Sequence, residues 1–75
     1  MTPTPEDIGR LKEIVQKLEK KYPLEIRVTG GTYDPWFLKI NNHDAVGNVD
    51  FYTVFDMVET VAFLGKIGLL KGKEN

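Results

Sequence analysis

LEIRVTGGTYDPWFLKIN, residues 24–41, is the stretch on which the fold turns. Leu24, Ile26 and Val28 alternate with Glu25, Arg27 and Thr29, the period of two that describes a half-buried strand. Trp36, Leu38 and Ile40 repeat the pattern against Phe37, Lys39 and Asn41. Between the two runs, Gly30-Gly31-Thr32-Tyr33-Asp34-Pro35 is turn chemistry, because glycine tolerates positive φ and proline fixes its own. Two strands across a short loop make a hairpin whose even-numbered residues share one apolar face.

Upstream, Thr4-Pro5-Glu6-Asp7 has the marks of a helix start: a threonine cap, proline where a missing N–H costs nothing, and carboxylates at the positive helix end. Ile8, Leu11, Ile14, Val15, Leu18 and Tyr22 follow at three- and four-residue spacing, forming one stripe. Lys17, Lys20 and Lys21 suit the carbonyl end and Pro23 ends the helix, so the expected range is 5–21.

Downstream, residues 41–48 are polar and turn-rich and read as a loop, with residues 49–52 as a third strand. Thr53, three residues before Asp56, resembles a capping box and predicts a second helix over residues 54–67, with Gly68 as its stop. The order helix, three strands, helix implies one small α+β domain over residues 1–75, both helices lying on one face of a two- to three-stranded antiparallel sheet. Residues 1–3 and 71–75 are expected to be loose.

Seventy-five residues support one core, and without cysteine no disulfide can reinforce it. The N-terminus has no basic or apolar leader and no stretch reaches about 18 apolar residues, so the expected location is the cytoplasm, with no membrane partner. Ten basic against eleven acidic side chains give a net charge of −1, unlike the positive excess of proteins that track a phosphate backbone. Between residues 22 and 65, Arg27 and Lys39 face Glu25, Asp34, Asp44, Asp50, Asp56 and Glu59, while Lys66, Lys71 and Lys73 follow. The middle is acidic and the end basic.

The αβββα order is similar to that of double-stranded-RNA-binding domains. That family's RNA contact is a lysine-rich start to the last helix, whereas residues 53–59 here hold no lysine and two acids, Asp56 and Glu59. Carboxylates there would repel phosphate, so the activity is not carried over.

Other chemistry is sparse. His43 stands alone between Asn42 and Asp44, too few ligands for a metal and without a nucleophile to activate. Gly30-Gly31 precedes a strand, so it lacks the helix N-terminus of a phosphate cradle. Serine and cysteine are both missing and no two carboxylates have a reason to converge. The chain reads as non-catalytic, with no cofactor, metal or small-molecule substrate implied.

The second helix is more apolar than one core face needs. Phe63, Ile67 and Leu70 fall on the side of Asp56 and Glu59, a combination that suits an apolar contact with charged rim residues. The leading expectation is a protein-interaction module, acting as a homo-oligomer or as an adaptor or inhibitor of a larger protein. Small, near-neutral domains of this kind suit an accessory protein of a bacterial or mobile-element genome. The alternative is a single-stranded nucleic-acid module using Arg27, Phe37, Lys39 and Tyr52 on the open sheet face, where bases would stack on the aromatics.

Overall fold

A computed structural model describes residues 2–73. Residues 1, 74 and 75, part of the ends expected to be loose, lie outside the described residues. The elements run α1 (Pro5–Lys21), β1 (Ile26–Thr29), β2 (Trp36–Ile40), β3 (His43–Val49) and α2 (Phe51–Lys66), the expected αβββα order.

Helix α1 keeps its expected limits. Thr4 Oγ1 accepts the Asp7 N–H at 3.1 Å, Glu6 and Asp7 occupy the first turn, and Lys20 and Lys21 the last. Leu11 and Leu18 point into the core. The Tyr22 N–H still reaches the Leu18 carbonyl at 2.8 Å, and Pro23 then ends the run.

The sheet has the order β1-β2-β3, all antiparallel. Ile26 faces Ile40 and Val28 faces Leu38, which leaves Arg27, Thr29, Phe37 and Lys39 exposed on the opposite face. Leu24, expected to open the first strand, precedes the ladder. There the Glu25 N–H donates to Asn41 Oδ1 at 2.7 Å, while the Asn41 N–H donates to the Glu25 carbonyl at 2.8 Å.

The third strand lies earlier than expected. Asn41 (φ 51°) and Asn42 (φ 67°) are both left-handed, as a tight two-residue hairpin requires, and asparagine reaches that region without glycine. Residues 43–49 are therefore strand rather than loop. Two register shifts against β2 and a left-handed Asn48 (φ 59°) break the alternation of β3, so its residues carry no clean period of two.

Residues 51 and 52, expected to be strand, begin α2. The cap is Asp50, not Thr53: its Oδ1 accepts both the Thr53 N–H at 2.8 Å and the Thr53 hydroxyl. Those hydrogen bonds favour the carboxylate and hold the Asp50 pKa below its ordinary value. The earlier start has a packing reason, because Phe51, Val54, Phe55 and Val58 make one buried stripe at helical spacing. At the far end Gly68, at φ 86°, is the left-handed residue after the last turn.

With three strands between them, the two helices run side by side in the same direction over the even-numbered sheet face. At their N-terminal ends Tyr52 donates to Asp7 Oδ2 at 2.7 Å, a bond that raises the tyrosine pKa because ionisation would break it. At their C-terminal ends the Tyr22 ring lies against Gly65, where a Cβ would come within 2.5 Å of the hydroxyl. Gly65 lies inside the continuous helix α2, and a side chain there would have to displace the Tyr22 ring. Beneath the helices Trp36 meets Phe51 edge-on at 5.0 Å, and Leu38, Phe51, Val54 and Val58 are fully enclosed. Each such side chain contributes about 1.5–3 kcal/mol by leaving water.

Candidate functional site

The described residues contain no group of three or more His, Asp or Glu side chains placed to hold a metal ion, and no helix long and apolar enough to cross a membrane. His43 opens β3 and is exposed. Two surfaces remain that the core does not explain.

The first is the outer face of α2. Phe63 is 56% exposed and Ile67, one turn on, 51%. Leu69 is 69% exposed, while Leu70, expected on this face, turns back and packs partly against the core. Both leucines follow the left-handed Gly68, where the Leu69 N–H bonds the Leu64 carbonyl at 2.9 Å and the helix ends. At about 100° per residue, Asp56, Glu59, Thr60 and Lys66 lie within about 60° of Phe63 around the axis, and all four are exposed. The face is thus acidic toward its N-terminal end, apolar in its middle and basic at Lys66.

The second surface was missed by sequence reasoning. Between α1 and β1 runs a groove of about 1030 Å³, walled by Ile8, Leu11 and Val15 from the helix and Ile26, Val28 and Trp36 from the sheet. Gly30 and Gly31 line it as well, with Thr2 and the buried Pro3 from the segment before α1. Gly30 lies flat on the Trp36 indole, where a Cβ would come within 2.1 Å of the ring. Trp36 is 6% exposed, yet its Nε1–H has no hydrogen-bond partner among the described residues. A buried donor left so is uncommon.

The groove also borders an open sheet edge. Bonding between Glu25 and Asn41 sets the ladder phase, so Arg27 and Thr29 exchange bonds with β2 while Ile26 and Val28 aim their backbone groups away from it. Glu19 Oε2 accepts the outward Ile26 N–H at 3.0 Å. The Val28 N–H and the Ile26 and Val28 carbonyls meet no other strand.

Of the four residues expected to form a nucleic-acid platform, Arg27, Phe37 and Lys39 are exposed on the open sheet face and Tyr52 is not. Tyr52 is on α2, half-buried and bonded to Asp7, because Phe51 and Tyr52 belong to the helix that Asp50 caps. Arg27 pairs with Glu25 at 2.9 Å and Lys39 lies 3.9 Å from Asp44, so both cations have a carboxylate beside them. Phe37, 44% exposed, covers Gly47 on the neighbouring strand, with its ring edge 2.9 Å from where a Cβ would stand. It acts as a cross-strand cover.

No protein-family model, curated protein or solved structure matches this chain.

Proposed function

We propose that this protein is a non-catalytic interaction module that pairs with a second copy of itself through the outer face of α2. The observation that carries this reading is the exposure of Phe63, Ile67 and Leu69 at the end of a helix whose other face already fills the core. Exposed apolar side chains clustered with charged neighbours are characteristic of contact surfaces.

The charge order on the helix argues for a second copy. In a two-fold, antiparallel pairing centred on Phe63, the Phe63 rings meet, Ile67 lies near Glu59 of the other helix, and Lys66 comes beside that same acidic segment. Each acidic end then faces a basic one, as a self-complementary two-fold contact requires. So few anchors make a small contact, and contacts of this size are weak and reversible.

Sedimentation equilibrium up to about 1 mM protein tests the reading, since a millimolar Kd corresponds to only about 4 kcal/mol. The wild type is expected to show a monomer–dimer equilibrium that Phe63→Asp abolishes, with the stability of the variant within about 0.5 kcal/mol of the wild type. A wild-type chain that stays monomeric throughout, or a dimer indifferent to Phe63→Asp, overturns it.

A further inference from the structure

From the groove we infer that this protein also binds an extended, apolar peptide segment of another protein, which adds to the sheet as a fourth strand beside β1. The inference concerns a different surface from the α2 contact and does not rest on it.

The first argument is width. Three strands at about 4.8 Å make a platform about 14 Å across, whereas two helices of about 10 Å each make a roof about 20 Å across. Helix α2 packs on β2 and β3, which leaves α1 on the β1 side of the sheet. There a groove of about 1030 Å³ separates α1 from β1.

Bonding supplies the second argument. An incoming strand would satisfy the outward Val28 N–H and the outward carbonyls of β1, the backbone pairing by which sheet edges capture peptides. Its alternate side chains would point up to Ile8 and Val15, which are only half-buried at present. The Trp36 side chain also lines the groove. Lys12 stands on the groove's helix side with no carboxylate in contact among the described residues, while Glu19 is already engaged by the Ile26 N–H. The complementary peptide therefore carries apolar residues at alternate positions and an acidic residue among them.

The place of α1 beside β1 argues against a second copy as the occupant. Antiparallel pairing of β1 with another β1 runs about a two-fold axis perpendicular to the sheet, so both copies hold their helices on the same side. The two α1 helices would then compete for the space above the junction. A lone strand without a helix of its own meets no such obstacle.

The test uses the full chain and a capped peptide of about nine residues, with valine at alternate positions and threonine or glutamate between. Trp36 is the only tryptophan, so its fluorescence reports on the groove directly. Saturable change in that signal is expected, with amide shifts confined to α1, β1 and the Gly30-Gly31 corner. Methylating alternate backbone nitrogens of the peptide should weaken binding about tenfold, the loss of one or two hydrogen bonds. Val28→Pro, which removes an outward N–H at an edge position that tolerates proline, should do the same. Lys12→Glu should weaken binding about two- to fivefold at low salt. If Val28→Pro does not fold, the methylated peptide against the wild type decides. No saturable change at millimolar peptide, equal binding of the methylated peptide, or shifts centred away from β1 overturns the proposal, as does a free protein found to dimerise through β1.

Discussion

The two edges of the sheet differ in how they end. Strand β3 is polar, carries two register shifts and a left-handed Asn48, and is exposed along most of its length, features that keep an edge from pairing with another strand. Strand β1 is regular, shows Ile26 and Val28 to an apolar groove, and blunts only one outward N–H, through Glu19. A small protein that disrupts one edge and leaves the other regular has one edge available for contact. The difference also marks where the core is complete: under α2 the side chains are enclosed, and under the outer margin of α1 they are half-covered.

Unfolding measurements can break that comparison most sharply at its two extremes. Phe51→Ala, beneath α2, should cost about 3–5 kcal/mol, the range for removing a fully buried aromatic side chain. Val28→Ala, at the groove, should cost about 1 kcal/mol, because half of what it loses was never out of water. Urea titrations of both variants supply the numbers. Equal losses would mean that the β1 margin is as closed as the centre.

The glycines sharpen the same contrast with a smaller effect. Gly30→Ala drives a methyl into the Trp36 indole, which the core pins against Phe51, and should lower stability by about 1–3 kcal/mol. Gly47→Ala pushes only on Phe37, whose ring is free to swing into solvent, and should cost less than about 1 kcal/mol. Thermal melts of the pair provide the check, and a reversed order would show that Phe37 rather than Trp36 is the constrained ring.

What the sequence made legible follows the strength of local signals. Helix α1 was readable to the residue because cap, stripe and stop agree at Thr4, Leu11, Leu18 and Pro23. The hairpin of β1 and β2 was readable because its period of two is unbroken from Ile26 to Thr29 and from Trp36 to Ile40. Strand β3 was not, because a turn of two asparagines lacks the expected glycine and two register shifts erase the alternation. The start of α2 was displaced because Thr53 resembles a cap, while the stripe that includes Phe51 points to Asp50.

The candidate surfaces divide in the same way. Phe63 and Ile67 could be read from helical spacing, since a second apolar stripe on one helix is visible in one dimension. Leu70 and Leu69 could not be told apart, because their directions depend on the turn at Gly68. The groove left no mark at all. It lies between α1 and the first strand of a three-stranded sheet, and its apolar residues belong to the same stripes that fill the core. Only the strand count and the ladder phase together reveal it.

The open β1 edge is tested most directly by amide hydrogen exchange in the free protein. Arg27 and Thr29, bonded to β2, should be protected, while Val28 between them exchanges at least about tenfold faster, since its N–H faces outward without an acceptor. A Val28 amide as protected as its two neighbours would show that the edge is already covered and would contradict the account.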